Sequence, residues 1–170
     1  RSSNMSDLLT HEEYVALASS LDLPKSPFID GKYRKGAGPV MATHNPATGE
    51  EIAKISTANN VDVDVAVAKA REAFDQGHWS KQHPAERKDA LIRLCRLMKR
   101  NRRELAIMES LDSGKPIRDC ELIDIPEAAY TMKWHAGAND RRYDQTAPVG
   151  DRALSVIVRE PIGVAGMVLP

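Results

Sequence analysis

The chain is short of cysteine, of aromatic residues and of any net charge. Cys95 and Cys120 are the only two cysteines among 170 residues, and their spacing makes neither a metal-ligand nor a redox motif. A disulfide framework is therefore not expected, and with no export-type apolar leader near the start the sequence reads as cytoplasmic. Aromatic residues make up 5% of the chain, too few to lay out stacking platforms for bases. Lys plus Arg and Asp plus Glu are both 24, so no global field draws the protein to nucleic acid or to an anionic membrane. No apolar run approaches the ~20 residues of a membrane span. What remains is an ordinary globular composition, 42% hydrophobic and 28% charged, long enough for one packed core. Arg1 to Asn4, ahead of Met5, read as an expression scar.

Local signals are dense. Thr10-His-Glu-Glu13 is a capping box that predicts a short helix to about Ser20. Asp30-Gly31 between apolar flanks predicts a tight hairpin, and Asn45-Pro-Ala-Thr-Gly49 a turn into the alternating strand 51–55. Val63, Val67, Ala70 and Phe74 recur at helical spacing over 60–76, with Gly77 placed to end that helix. Pro84 opens a long helix with Leu91, Leu94, Cys95 and Met98 facing the core. Its continuation through Leu105, Met108 and Leu111 stops at Gly114. Asp124 is read as the cap of a further helix carrying Tyr130 and Trp134 on one face. Both tryptophans, Trp79 and Trp134, read as core anchors. Segments 143–149 and 153–159 predict a long antiparallel hairpin. The apolar run 162–169, bounded by prolines, suits a strand buried on both faces of a parallel sheet. Such a strand needs neighbours that the sequence does not supply, so the chain reads as cut in mid-domain.

Other features carry less. Nine Lys or Arg against two Asp or Glu between Lys81 and Arg103 read as a solvated helix face opposite an apolar stripe. The five histidines (His11, His44, His78, His83 and His135) show no i, i+4 pair of a helical zinc site. Gly163-Val-Ala-Gly166 lacks the third glycine of a dinucleotide fingerprint, and Ser113-Gly-Lys115 lacks the upstream glycine of a phosphate loop.

Taken in order, the motifs resemble the aldehyde dehydrogenase superfamily. The matching stretches are Phe28-Ile-Asp-Gly-Lys32, Asn45-Pro-Ala-Thr-Gly-Glu50, Leu105 through Asp112-Ser-Gly-Lys-Pro116, and Val158 to Pro170. Asp124-Ile-Pro126 and Trp134-His-Ala136 are most similar to γ-glutamyl-γ-aminobutyraldehyde dehydrogenases, with betaine- and aminoaldehyde-type enzymes close behind. The resemblance implies an α/β fold: the N-terminal part of an NAD(P)-binding Rossmann-like domain over 5–142, a projecting oligomerisation hairpin over 143–159, and the first strand of the nucleotide-binding sheet over 160–170. It implies a parent enzyme that oxidises an aldehyde to an acid with NAD or NADP, acting as a homo-oligomer. The nucleophilic cysteine, the activating glutamate and the oxyanion asparagine of that family have no counterpart here, so the chain alone is expected to be inactive. The alternative is a stand-alone oligomerisation module of the same descent.

Two candidate sites come with the resemblance. Val168, Leu169 and Pro170 match positions lining the adenosine side of the dinucleotide site, although for this fragment the favoured reading is that they are merely the end of a core strand. Carbonyls near Thr43 and His44, with the Asp112 carboxylate, match a monovalent-cation site of betaine-type members, which hard oxygen ligands would suit. The alternative for Asp112 is a hydrogen-bonded acid at a helix end.

Overall fold

The computed structural model describes residues 7–169, so the expectations for residues 1–4 and for Pro170 lie outside the described residues. Helix α1 (His11–Ser20) starts where the capping box places it. Thr10 Oγ1 accepts from the Glu13 amide at 3.3 Å, and the Glu13 carboxylate accepts from the Thr10 amide at 2.8 Å. Strands β1 (Phe28–Ile29) and β2 (Lys32–Tyr33) form the expected hairpin, with Asp30 and Gly31 at φ 56° and 76°. Two positive φ values in a two-residue loop match the twist of the flanking strands, and Asp-Gly tolerates them.

Strands β3 (Val40–His44) and β4 (Glu51–Ser56) pair antiparallel, with a register shift between Thr43 and His44. Helix α2 (Asn60–Gln76) carries a second capping box, Asn59 with Asp62, and ends on Gly77 in the left-handed region. Helix α3 (Pro84–Arg100) begins with proline at its first turn, and His83 accepts from the Ala85 amide.

Four expectations are corrected. The helix opened by Pro84 does not run through to Gly114: Asn101, at φ −99° and ψ 29°, breaks it, and α4 (Arg102–Ser113) follows. Asp124 caps nothing. The chain is already helical from α5 (Ile117–Asp119), passes through a π-helical turn at Cys120–Asp124, and continues as α6 (Ile125–Ala138). Asp124 sits inside that run, and its carboxylate takes a 2.6 Å ion pair from Lys115 instead. Neither tryptophan anchors the core: Trp79 is 48% exposed and Trp134 61%. The third hairpin is shorter than expected, β5 (Gln145–Ala147) pairing with β6 (Ser155–Ile157).

The core sits where α3, α4 and α6 meet the π turn, and it is made of small side chains. Cys95, Ala106, Ile107, Cys120, Ala129 and Ala136 are buried there, with Tyr14 of α1 added from one side. Small residues let helix axes approach closely. Around this centre the large apolar side chains are exposed, among them Val63 and Val67 of α2, Leu94, and Tyr130. Among the described residues the three strand pairs form separate two-stranded sheets, and the run 162–169 takes no strand partner.

Candidate functional site

The best-defined cleft lies between the β3–β4 hairpin and α4. Leu105, Met108, Glu109 and Asp112 project from one face of α4, being three and four residues apart. Thr43, Ile52, Ala53 and Ile55 form the opposite wall, and the cavity holds about 370 Å³. The register shift falls at this wall: Thr43 pairs with Ala53 and His44 with Glu51, which leaves Ile52 unpaired in the ladder. A bulge of this kind disrupts ladder hydrogen bonds and turns backbone groups out of the sheet. Of the three residues expected to hold a cation, the fold brings Thr43 and Asp112 to one cavity, while His44 is exposed and lies outside its walls. Glu109 adds a second carboxylate that sequence reasoning did not single out; its i−3 spacing from Asp112 was the available signal. Among the described residues Asp112 has no ion-pair partner. The rest of the lining is largely apolar, with Leu23, Pro24, Leu111 and Ile125 completing it, so the side-chain oxygens that a hard cation prefers are confined to Thr43, Glu109 and Asp112.

The second candidate is not assembled in the same way. Val168 and Leu169 are 99% and 79% exposed. They offer the apolar wall that a flat adenine would need, yet no described residue faces them from across a cavity. By themselves they do not make a dinucleotide site.

A third centre was not foreseen at all. Glu121, on the π turn, is 0% exposed. Its Oε2 accepts a 2.6 Å hydrogen bond from the Tyr14 hydroxyl. Its Oε1 lies 2.9 Å from Arg102 Nη2 and 3.4 Å from Arg103 Nε. Neither arginine contact is aligned as a hydrogen bond, so Oε1 is held by charge rather than by a directed donor. Arg103 also donates to the Asp7 carbonyl at 2.9 Å, fastening the segment ahead of α1. Burial, and then the hydrogen bond to Glu121, push the Tyr14 hydroxyl above its usual pKa. Sequence gave no cue, because a π turn does not follow helical periodicity and an isolated Glu reads as surface.

The cysteines are equally settled. Both are buried and free, and burial pushes the Cys120 thiol up, keeping it in the unreactive protonated form. Neither is placed to act as a nucleophile.

The profile of the aldehyde dehydrogenase family matches residues 33–170. The chain belongs to the aldehyde dehydrogenase family. It is 54% identical over 167 residues to an aminoacetaldehyde dehydrogenase of Pseudomonas aeruginosa, covering 98% of this chain and 34% of that protein. A γ-glutamyl-γ-aminobutyraldehyde dehydrogenase structure from Burkholderia cenocepacia superposes with a TM-score of 0.81 at 38% identity, over 84% of this chain and 29% of that one. An indole-3-acetaldehyde dehydrogenase solved with NAD+ superposes at 0.87 with 36% identity, over 92% of this chain and 32% of that one. The chain thus spans about a third of the length of the curated relative. The fold expected from the motifs, the N-terminal portion of a family member with its helices and small hairpins, is the one found.

Proposed function

We propose that the intact protein oxidises an aldehyde, and specifically an aminoaldehyde, to the carboxylic acid with NAD or NADP. The observation that carries this reading is the 54% identity with an aminoacetaldehyde dehydrogenase, maintained along nearly the whole chain. The balance is aldehyde plus water plus oxidised dinucleotide giving acid, reduced dinucleotide and a proton; the dinucleotide supplies the hydride acceptor. The cysteine, glutamate and asparagine that this chemistry uses in the family are not among these 170 residues. This chain therefore contributes architecture and no reacting group, and alone it is inactive.

The test is dinucleotide reduction by the purified intact protein, followed by absorbance, with 3-aminopropanal beside propanal. A kcat/KM at least about tenfold higher for the amino compound supports the reading. Absence of dinucleotide reduction with every aldehyde tried would refute it.

Three finer assignments follow from the same reading. The Thr43–Asp112 cleft holds a monovalent cation, so replacing potassium and sodium by a bulky organic cation lowers the melting temperature of the intact protein, and Asp112→Asn abolishes that response. The hairpin of β5 and β6 is an arm for a second subunit. Its Tyr143 and Leu154 are each 80% exposed, and shortening it to a tight turn reduces the mass seen in sedimentation. In the intact protein the run 160–169, which pairs with no strand here, is taken up as the first strand of the nucleotide-binding sheet, with Val168 and Leu169 on the adenosine side. No described helix is long and apolar enough to cross a membrane, and a cytoplasmic protein is the setting this chemistry suits.

A further inference from the structure

The run 162–169 sets out from a joint of unusual backbone. Gly163 stands at φ 127°, far from the 74–78° of Gly31, Gly49, Gly77 and Gly114. A residue with a Cβ rarely adopts such an angle, and a glycine left to itself is free to take many others. Gly163 therefore needs a neighbour to hold it there, and the forked end of Arg71 on α2 is that neighbour. A Cβ built on Gly163 would lie 3.2 Å from Nη2, 3.3 Å from Nη1 and 3.6 Å from Cζ. The guanidinium is steadied in turn by its own helix: Nη1 lies 3.6 Å from Asp75 Oδ1, and Cζ stands 5.4 Å from the centre of the Phe74 ring. Ahead of the joint the chain is fastened again. The Arg159 amide donates to Asp144 Oδ1 at 3.1 Å, its guanidinium donates to the Tyr143 carbonyl at 2.6 Å, and the ring of Pro161 fixes φ there. Between Arg159 and Leu169, Gly163 alone has a positive φ.

We propose that Arg71 is a positioning residue for the dinucleotide and acts through Gly163: its guanidinium sets the direction in which the run beyond the joint enters the nucleotide-binding sheet. This rests on the reading of that run given under the proposed function. Gly163, Val164 and Ala165 border one cavity with Ala70, Ala73 and Phe74, so the joint and the residues after it lie along α2, on which Arg71 is carried. The lever is long. Val168 follows Gly163 by five residues, about 16 Å in an extended strand, so a turn of ~10° at the joint displaces Val168 by about 3 Å. A shift of that size breaks an apolar contact with a flat base, since such contacts need heavy atoms within about 4.5 Å. Arg71 does this by shape, because a planar fork meets the glycine where a point charge would not.

The experiment is titration calorimetry of NAD+ with the intact protein, which needs no aldehyde and so reads the joint separately from the substrate. The Arg71 side chain is 52% exposed, so Arg71→Ala should fold as the wild type does, with urea unfolding as the check. A misplacement of about 1 Å can cost on the order of 100-fold. Neighbouring strands share that load, so Arg71→Ala should weaken NAD+ roughly 5- to 50-fold. Arg71→Lys keeps the charge and lacks the fork, and it should weaken NAD+ as well. Gly163→Ala should also weaken it, and the double variant Arg71→Ala with Gly163→Ala should fall short of the product of the two losses, because both act at one joint. NAD+ affinity within about twofold of wild type in Arg71→Ala overturns the proposal. So does full affinity in Arg71→Lys, which would mark an effect of charge on the phosphates, and so do losses that multiply in the double variant. Wild type that binds NAD+ but oxidises no aldehyde defeats the substrate reading and leaves the joint tested; wild type that binds no NAD+ defeats both.

Discussion

Removing the Tyr14 hydroxyl should release more stability than its position on a short peripheral helix suggests. Tyr14 is the only buried residue of α1, and its hydroxyl is the one aligned donor to a carboxylate that has no exposure. A hydrogen bond to a charged acceptor contributes about 1.5–3 kcal/mol, and losing it leaves the buried oxygen short of a partner. Tyr14→Phe keeps the ring, so the expected cost is about 2 kcal/mol. Glu121→Ala removes the acceptor and strands two guanidinium groups. Breaking a buried ion pair costs about 3–5 kcal/mol, but the side chains of Arg102 and Arg103 are 32% and 39% exposed and can turn to water. About 2–4 kcal/mol is then expected. The assay is urea unfolding of the wild type, Tyr14→Phe, Glu121→Ala and the double variant. The cycle should give a coupling of at least about 1 kcal/mol, because the two groups touch. Amide exchange in α1 should quicken in both single variants, since the helix loses its one buried tether. A Tyr14→Phe cost under about 0.5 kcal/mol, with additive single variants, would refute the view of Glu121 as a fastening point.

Other perturbations give sharper local readouts. Gly114 ends α4 at φ 74°, and a Cβ there would meet Pro46 Cγ at 2.9 Å; Gly114→Ala should cost about 1–2 kcal/mol in urea unfolding from the left-handed backbone alone. Ala136 is fully buried in the helix crossing, so Ala136→Leu should destabilise by about 1–3 kcal/mol through overpacking, whereas Ala68→Leu on the exposed side of α2 should stay within about 0.5 kcal/mol. The Asp62 carboxylate accepts from the Ala37 and Asn59 amides at 2.7 and 3.0 Å, which hold its pKa below the usual 3.8. A depressed folded pKa means that this contribution is present above the unfolded value and is lost as pH falls through the folded one. Carboxyl chemical shifts should therefore place the Asp62 titration below 3.8, and Asp62→Asn should flatten the acid limb of stability.

Local chemistry made most of the helices and turns readable. The capping box at Thr10, the Asp30-Gly31 turn, Gly77 and Pro84 each specify a backbone conformation through one or two neighbouring residues, and each lies where the sequence placed it. Asn101 was harder, because asparagine inside a continuous apolar pattern leaves the helical period undisturbed on both sides. The π turn was out of reach for a related reason: one extra residue shifts the face on which every later side chain lies, and only the packed partner reveals the shift. Asp124 had the composition of a cap and became the acceptor for Lys115. Trp79 and Trp134 show the limit of reading burial from residue type, since a large ring is as suited to an outer face as to a core. At the cleft, the family resemblance named Thr43 and Asp112, but the bulge that separates them from His44 is a property of strand pairing and not of any single residue.

Helix α4 joins these observations into one mechanical unit. Its first residues, Arg102 and Arg103, grip Glu121, its Ala106 and Ile107 lie in the core, and its far end carries Met108, Glu109 and Asp112 into the cleft beneath β3 and β4. Arg102 and Asp112 are ten residues apart, about 15 Å on a helix, so a rotation at the clamped end reaches the carboxylates with little damping in a packed interior. A Glu121 contact that fixed the rotation of α4 would also fix where Asp112 stands in the cavity that Thr43 borders. It follows that Glu121→Gln should alter the backbone resonances of Asp112 and Thr43, whereas a change of equal cost placed elsewhere, such as Ala136→Leu, should leave them in place. If both variants perturb the cleft alike, α4 transmits nothing in particular, and the clamp and the cleft are independent features of the same helix.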